Sequence, residues 1–229
     1  MDKYFKIKKY ANGQIISEVI KDLYNTLNMN NTTNILFIRT PTTGEWLDRL
    51  FINNKNITRI LYDTKKSKNF SYHNDTIMTI HENIENILLN LNKKYDLICI
   101  DPFHEYDASK KDLYLFYSFL TENGIMVCHD CFPMNKLFAN PKFTTGNWCG
   151  ETYVAFIDFA YHNDNLYYGL LEIDTGIGLI SKLPLESLKN NFDKEKQNEL
   201  LTYKNNGNIN IYDYFCNNCK DIMNIISFK

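Results

Sequence analysis

The sequence predicts an α/β fold, namely a Rossmann-like, doubly wound, mostly parallel seven-stranded sheet that ends in an antiparallel hairpin. Strand-like apolar runs alternate with helix-like amphipathic stretches from residue 34 to residue 130. Two of these runs, YDLICID and GIMVCHD, are continuously apolar, which is typical of strands covered on both faces of a sheet. Further along the chain, two more runs are separated by the short turn DTGI, as in a hairpin.

The first half of the chain predicts one helix and then three strands. Residues Gln14 to Met29 place apolar side chains at helical spacing, which indicates an N-terminal amphipathic helix. The segments that follow are, in chain order, strand NILFIRT, helix PTTGEWLDRLF, strand ITRILYD, a weaker strand TIMTI and helix ENIENILLNLN.

The second half predicts the two clearest strands and the closing hairpin. Between YDLICID and GIMVCHD, the segment ASKKDLYLFYSFLTEN indicates an amphipathic helix that ends in an Asn-Gly turn. Then come helix CGETYVAFIDFAYHN, hairpin strands NLYYGLLEI and GLISKL, and a last helix around Tyr212 to Ile226. Because no Gly/Ser/Pro-rich linker interrupts residues 1–229, we expect a single domain, with its N-terminal helix at about 14–29 and a C-terminal helical extension at about 184–229.

Composition and charge exclude several classes of protein. Of the 229 residues, 44% are hydrophobic and 14% aromatic, which indicates a packed core rather than intrinsic disorder. A formal net charge of −2 offers no concentrated positive charge for binding nucleic acid. The sequence shows neither a membrane-length apolar run nor a signal-peptide core. We therefore expect a cytoplasmic protein without nucleic-acid or membrane partners.

The six cysteines are expected to be thiols, because disulfides are rare in a reducing compartment. Two C-x-x-C pairs, Cys128 with Cys131 and Cys216 with Cys219, also raise a structural zinc site as an alternative. We favour packing over zinc. Cys128 would point into the sheet, and Cys216 and Cys219 would share the buried face of a helix.

Polar side chains stand at the ends of the two clearest strands. Asp101 and His104 follow YDLICI, and His129 and Asp130 follow GIMVC. In open α/β sheets, ligands bind outside the carboxyl ends of the strands. The sequence therefore predicts a functional site where these four residues meet.

Residues 95–130, YDLICIDPFHEYDASKKDLYLFYSFLTENGIMVCHD, resemble a known pattern. It is F-D-L-I-F-I-D-G-D-H-S-Y-E-G-V-K-x-D-L followed by L-x-P-G-G-x-x-x-x-H-D. It belongs to class I S-adenosylmethionine-dependent methyltransferases of a subfamily related to sugar and small-molecule O-methyltransferases. GNWCGETYVAFIDF and DTGIGLI also look like the tail of that subfamily. The resemblance is good over residues 95–182, thin over 34–94 and absent at both ends.

The resemblance implies that S-adenosylmethionine binds at the ends of the first two strands, near Thr40 and Gly44 and beside Asp101. Asp63 stands where the family places the acid that grips the ribose hydroxyls; the alternative is a capping or surface aspartate. The usual Gly-x-Gly turn is replaced by Arg39-Thr40-Pro41-Thr42-Thr43-Gly44, in which only Gly44 keeps a glycine.

The resemblance also implies the catalytic roles. Asp101 matches the first ligand of a divalent cation, His104 the general base, and Asp130 the second acid of a pair, with His129 standing where the family has the other acid. The implied metal set is therefore Asp101, Asp130 and His129. Mg²⁺ prefers oxygen ligands, so a histidine also leaves Mn²⁺, Zn²⁺ or no metal open. His104 could instead be an ordinary loop histidine, and His129 a capping residue.

The expected function is S-adenosylmethionine-dependent methylation of a hydroxyl group on a sugar, a glycan or another small molecule. A histidine base and a cation both help an alcohol to lose its proton, which makes this chemistry coherent. Two alternatives stay open: a degenerate methyltransferase fold that binds or assembles without catalysis, and a metal-dependent enzyme of another kind. Trp46, Trp148 and the loop GNWCGE could line a substrate pocket or belong to the core, and the sequence is compatible with a homo-oligomer.

Overall fold

The computed structural model describes residues 16–26, 33–40, 56–63, 76–80, 88–89, 92–207 and 210–226. This part of the chain contains eight strands: β1 Ile35–Arg39, β2 Ile57–Asp63, β3 Thr76–Ile80, β4 Tyr95–Asp101, β5 Leu120–Cys128, β6 Tyr167–Leu171, β7 Ile177–Ser181 and β8 Ile225–Ile226. Its helices are α1 Ile16–Thr26, α2 Tyr106–Tyr117, α3 Thr152–His162, α4 Lys194–Asn205 and α5 Ile211–Ile222.

All eight strands form one sheet in the order β3-β2-β1-β4-β5-β7-β6-β8. Strands β1 to β5 are mutually parallel, and β7 runs antiparallel to both β5 and β6. The strand order reverses between β1 and β4, which is the switch point where α/β sheets open a crevice at their carboxyl edge. The predicted fold class and closing hairpin are therefore confirmed.

The sheet has one strand more than the seven that the sequence predicts. Ile225 and Ile226 form β8 and pair parallel to Leu170 and Leu171 of β6. The predicted last helix around Tyr212 to Ile226 therefore ends too late, since α5 stops at Ile222. A strand of two residues is too short to show an alternating pattern, so the sequence offers no signal for it.

The helix predicted to run up to Asn123 is also too long. Helix α2 ends at Tyr117, and β5 begins at Leu120. The Asn-Gly pair lies inside β5 rather than in a turn, where the register shifts between the pairs Tyr95–Leu120 and Leu97–Ile125. Glycine within a strand commonly marks such a bulge. A Cβ at Gly124 would lie 2.7 Å from the side chain of Leu120.

Apolar side chains of the central strands pack on both faces of the sheet. In β4, Ile98 and Ile100 join the cluster on one face, whereas Leu97 and Cys99 join the cluster on the other. The first cluster includes residues of α2 and α3, and the second includes Val19, Ile20 and Leu23 of α1. This two-sided burial explains the continuous apolar run, and each buried Leu or Ile contributes about 1.5–3 kcal/mol.

The cysteine predictions have mixed outcomes. All six cysteines are free, and Cys128 is buried in the core as expected. Cys216 is exposed and Cys219 half-buried, so the predicted shared buried face of the last helix is wrong. Among the residues that the structure describes, no helix has the length and apolarity that a membrane span requires.

The C-terminal helices pack against the helical layer of the sheet. The side chain of Asp193 caps α4 by accepting a hydrogen bond from the backbone N–H of Lys196. Lys194 donates to the carbonyl of Tyr161, at the end of α3, over 2.8 Å. At the other end of α4, Lys204 forms an ion pair with Glu151, directly before α3, at 2.7 Å. Helix α4 is thus attached along the length of α3.

Candidate active site

Strands β4 and β5 bring four titratable residues together at the carboxyl edge of the sheet. Asp101 is the last residue of β4, and His104 follows it in the short connection to α2. His129 and Asp130 come directly after β5, where the backbone N–H of His129 donates to the carbonyl of Ile100 over 3.0 Å. We call Asp101, His104, His129 and Asp130 the Asp–His cluster. The structure thus brings together all four residues that the strand ends predict.

The ring of His104 lies between the two carboxylates of the cluster. Its Nε2 is 2.9 Å from Oδ2 of Asp130 and 3.1 Å from Oδ1 of Asp101. These three side chains are almost completely buried, with residue exposures of 5%, 6% and 2% for His104, Asp130 and Asp101. Charges of opposite sign at such distances interact strongly when water is excluded.

His104 holds a proton on both ring nitrogens. Its Nδ1 contacts the carbonyl oxygen of Trp148, which can only accept a hydrogen bond, so Nδ1 is the donor. Its Nε2 faces two carboxylates and donates as well. Burial lowers the pKa of His104, but the charge of Asp130 and the hydrogen bonds to both carboxylates outweigh it and raise this pKa to about 10.

His129 also contacts the carboxylates of Asp101 and Asp130. Its Nδ1 lies 3.0 Å from Oδ2 of Asp101 and 3.3 Å from Oδ2 of Asp130. Its Nε2 donates to the carbonyl oxygen of Asp174 over 2.9 Å. Burial lowers the pKa of His129, yet the charges of Asp130 and Asp101 raise it well above its ordinary value. His129 therefore also carries a positive charge in this arrangement.

The pKa values of the two carboxylates shift in the opposite direction, downward. Burial raises the pKa of Asp130, but the positive charges of His129 and His104 bring it well below its usual range. Burial likewise raises the pKa of Asp101, and the charge of His129 with hydrogen bonds from both histidines lowers it overall. The Asp–His cluster consequently balances two negative charges with two positive ones inside the protein.

Three members of the cluster could hold a metal ion. Asp101, His104 and Asp130 offer ligand atoms that all lie within 4.8 Å of one another. Two carboxylate oxygens and one imidazole nitrogen suit a divalent cation such as Mn²⁺ or Zn²⁺. His129 lies outside this group, although its Nδ1 also faces Asp101 and Asp130. The metal set that the resemblance implies, Asp101, Asp130 and His129, therefore stays a prediction.

Two other loops contact the cluster in ways that the sequence does not predict. Asp174 and Thr175 belong to the turn between β6 and β7, and the hydroxyl of Thr175 donates to Oδ1 of Asp130 over 2.5 Å. Glu151 donates its backbone N–H to the carbonyl of His104 over 2.8 Å. The sequence marks DTGI only as a turn, and nothing in it shows that this turn reaches β5. These contacts join residues that are far apart in the sequence, so no local pattern marks them.

Trp148 supports His104 from the loop before α3. The indole is 4% exposed, and its ring lies 5.3 Å from Phe103 and 5.2 Å from the ring of His104. Its Nε1 donates to the carbonyl of Asn140 over 2.6 Å, which fixes the indole in place. Of the two expectations for Trp148, core or pocket, its burial favours the core.

The expected cofactor residues lie at the same edge, as far as the structure describes them. Thr40 directly follows β1 and is buried, and its carbonyl accepts a hydrogen bond from Nη1 of Arg39 over 2.9 Å. Arg39 is the register partner of Asp101, so the ends of β1 and β4 are neighbours. Asp63 is the last residue of β2, next to β1. Gly44 and Trp46 lie outside the described residues.

A cavity of about 420 Å³ opens between the loop after β5 and the C-terminal helices. Its wall includes Glu151, which is hydrogen-bonded to His104, and Lys204, which is paired with Glu151. The other lining residues are Lys136, Leu137, Ala139, Asn140, Pro141, Tyr203, Gly207, Ile211 and Tyr212. Cavities of this size commonly accept small molecules.

Comparisons with known proteins agree with this architecture. Residues 23–131 match the family model described as a methyltransferase domain. No curated protein matches the sequence. Among solved structures, a protein from Corynebacterium glutamicum is similar with a TM-score of 0.50 and 13% identity, covering 77% of this chain and 85% of that one. A candidate caffeoyl-CoA O-methyltransferase from Staphylococcus aureus gives 0.50 and 13%, covering 75% and 84%.

At such low identity these structures establish the fold, and the family model matches 109 residues, from residue 23 within α1 to residue 131. Both findings agree with the resemblance to class I S-adenosylmethionine-dependent methyltransferases that the sequence indicates.

Proposed function

We propose, from the relationship of this chain to the class I S-adenosylmethionine-dependent methyltransferases, that it transfers a methyl group to a hydroxyl of a sugar, a glycan or another small molecule. The observation that carries the proposal is the Asp–His cluster, where buried side chains from two strands converge at the edge that binds ligands in this fold. Burying four charged groups is costly, and a scaffold without a ligand has no physical need for them.

The end of β1 and the end of β2 are proposed to hold the cofactor. S-adenosylmethionine would supply an electrophilic methyl group on its sulfonium. Asp63 would accept hydrogen bonds from the ribose hydroxyls. The backbone at Thr40 and Gly44 would run alongside the cofactor. Because Arg39, at the end of β1, pairs in register with Asp101, the two halves of the proposed site share one edge of the sheet.

We propose His104 as the general base. To act as a base, it must first lose the proton from one of its two ring nitrogens. In the charge-balanced cluster, His104 donates through both nitrogens and cannot accept a proton from an alcohol. A divalent cation held by Asp101 and Asp130, with His104 or His129 nearby, would offset the carboxylate charges and lower the pKa of a bound hydroxyl. Asp101 and Asp130 would then bind and orient the acceptor oxygen.

The cavity beside Glu151 is proposed to receive part of the acceptor. It lies next to the segment that contacts His104, and its wall contains apolar and aromatic side chains together with the paired charges of Glu151 and Lys204. That mixture suits a ligand with both hydroxyl groups and apolar surface. We also propose that residues 1–229 act as one domain, since α4 contacts the site through Lys204.

A methyl-transfer assay with labelled S-adenosylmethionine and a panel of hydroxylated acceptors tests the proposal. The His104→Ala variant is expected to lose about 10²- to 10⁴-fold in rate, which is what a general base contributes. His162→Ala serves as the matched control, because this histidine stands at the end of α3 with a half-exposed side chain. Equal rates for wild type and His104→Ala would overturn the assignment of the base. Failure of the wild type to bind S-adenosylmethionine or S-adenosylhomocysteine, with and without Mn²⁺, would overturn the function.

A further inference from the structure

We infer that the hairpin turn, formed by Asp174, Thr175 and Gly176, is a positioning element for the Asp–His cluster, in which the Thr175 hydroxyl fixes the orientation of the Asp130 carboxylate. The inference deepens the proposed function and rests on it in one respect, namely that a cation or an acceptor oxygen meets the Asp130 oxygen that the turn leaves available. Thr175 touches no reacting atom in this account and acts only through Asp130.

The contacts divide the two oxygens of Asp130 between the hairpin turn and the two histidines. The Thr175 hydroxyl donates to Oδ1 over 2.5 Å, whereas Oδ2 faces Nε2 of His104 at 2.9 Å and Nδ1 of His129 at 3.3 Å. The carbonyl of Asp174 also lies within reach of this hydroxyl, but a hydroxyl has one proton to donate. A carboxylate is the stronger acceptor because it is charged. Oδ2 is therefore the oxygen that can serve His104 or a cation.

Backbone hydrogen bonds tie the hairpin turn to the residues that follow Asp130. The N–H of Cys131 donates to the carbonyl of Gly176 over 3.0 Å, and the N–H of Phe132 donates to the carbonyl of Thr175 over 2.8 Å. Gly176 is required for this approach, because a Cβ there would lie 2.1 Å from the backbone nitrogen of Phe132. The turn and the end of β5 therefore keep a fixed distance.

The same turn also fixes His129. The carbonyl of Asp174 accepts the hydrogen bond from Nε2 of His129 over 2.9 Å, and the direction of that carbonyl is set by the backbone of the turn. With Nε2 held there, Nδ1 is directed at Asp101. One turn thus orients a carboxylate and an imidazole of the cluster together.

Backbone conformation shows that turn shape alone does not account for threonine at this position. Asp174, Thr175 and Gly176 have φ values of 46°, 64° and 92°, all in the left-handed region. Glycine adopts such values without strain, whereas a β-branched residue there is an outlier. The hydroxyl that contacts Asp130 therefore explains why threonine, which strains the turn, stands at this position. Strain of this kind is concentrated at functional sites.

Three substitutions at one position separate the hydroxyl from the shape of the turn. Thr175→Val removes the hydroxyl and keeps the β-branch, Thr175→Gly removes the hydroxyl and relieves the strain, and Thr175→Ser keeps the hydroxyl. Two measurements apply to each variant and to the wild type: Mn²⁺ affinity by titration calorimetry, and a crystal structure that reports the distance from Asp130 Oδ2 to His104 Nε2.

We expect the valine and glycine variants to bind Mn²⁺ about 10- to 100-fold more weakly than wild type, as is usual when the partner of a metal ligand is removed. Their Asp130 carboxylates should rotate away from His104, whereas Thr175→Ser should keep both the affinity and the contact. Thr175→Gly should melt at the same temperature as wild type or higher, because glycine relieves the strained φ. That result would show that its loss of affinity is not a loss of folding.

The inference is overturned if Thr175→Val and Thr175→Gly both keep the contact between Asp130 and His104. Unchanged Mn²⁺ affinity in these variants, with a wild type that binds Mn²⁺, would overturn it as well. If the wild type binds neither Mn²⁺ nor S-adenosylhomocysteine, the proposed function fails instead. The crystal distances then still decide whether Thr175 orients Asp130.

Discussion

The ends of β4 and β5 and the ends of β1 and β2 lie at the same edge of one sheet, yet they are built differently. At β4 and β5, the Asp–His cluster joins four charged side chains by hydrogen bonds, and three of them, Asp101, His104 and Asp130, are buried. At β1, the strand ends at Arg39, whose side chain donates to the carbonyl of Thr40, and the sequence that follows lacks the usual Gly-x-Gly pattern. The part that would activate an acceptor thus follows the family pattern more closely than the part that would hold the cofactor.

This difference indicates which interactions would bind ligands at the ends of β4 and β5 and which would bind them at the ends of β1 and β2. Around Asp130, electrostatic contacts inside a dry environment are strong, and each depends on its partners. After β1, the sequence has Arg39-Thr40-Pro41-Thr42-Thr43-Gly44 where the family has a Gly-x-Gly turn, so we expect cofactor affinity to depend more on single side chains such as Asp63. Substitutions in the two halves should therefore have effects of different size and kind.

The largest effect is expected for Asp130→Asn. It leaves the charges of His104 and His129 facing a single carboxylate, and breaking a buried charge network of this kind costs about 3–5 kcal/mol. Denaturant unfolding would measure the loss. Asp213→Asn is the matched control, since Asp213 pairs with Lys136 at the exposed surface and should change stability by less than about 1 kcal/mol. Equal losses in the two variants would show that the cluster is not a stabilised network.

A smaller effect, confined to cofactor binding, is expected for Asp63→Ala at the end of β2. Loss of hydrogen bonds to a charged group costs about 1.5–3 kcal/mol, which corresponds to roughly 10- to 100-fold weaker binding of S-adenosylhomocysteine in calorimetry. Glu122→Gln is the control, because Glu122 is an exposed acid in β5 paired with Lys182. If Asp63→Ala binds as tightly as wild type, Asp63 is a surface or capping aspartate.

The charge balance of the cluster predicts a pH dependence of stability in chelator-treated protein. The pKa of His104 is about 10 in the folded protein and 6.5 ordinarily, so its contribution is complete below pH 6.5 and is lost as the pH rises through about 10. The difference in unfolding free energy between wild type and His104→Gln should therefore shrink over that range. A difference that grows with pH would contradict the protonated state of His104.

The smallest effect is expected at the cavity. Leu137 lines it and is 78% exposed, so Leu137→Lys should leave stability within about 0.5 kcal/mol of wild type. A lysine there would place a charge beside an apolar part of the acceptor and raise KM for it a few-fold, without changing the affinity for S-adenosylhomocysteine. Lys142→Glu, on the same loop but outside the cavity lining, is the control. An unchanged KM would show that the acceptor does not reach this cavity.

The strands and the strand-end residues could be predicted because their signals are local. Strands β4 and β5 are covered on both faces, so their apolar runs stand out, with Asp101 at the end of one and Asp130 two residues after the other. The end of α2 and the bulge at Gly124 could not be predicted, since the register between β4 and β5 is a property of the sheet. Nor could the role of Thr175, whose contact with Asp130 spans 45 residues.

The orientation of the two histidines could not be predicted either. The sequence places His129 in line with an acid of the family pattern, and the resemblance therefore assigns it to the metal. Only the fold shows that Nε2 of His104 and Nδ1 of His129 both face Asp101 and Asp130, and that Nε2 of His129 contacts the carbonyl of Asp174. Ring orientation depends on these distant partners and leaves no mark in the local sequence.

A crystal structure with S-adenosylhomocysteine and Mn²⁺ would show whether both ligands bind at this edge of the sheet. We expect the nucleoside at the ends of β1 and β2 with its ribose on Asp63, and an anomalous Mn²⁺ signal bound by Asp101 and Asp130 beside His104. Absence of both ligands from this edge, at concentrations that saturate S-adenosylmethionine-dependent methyltransferases, would rule out the proposed function.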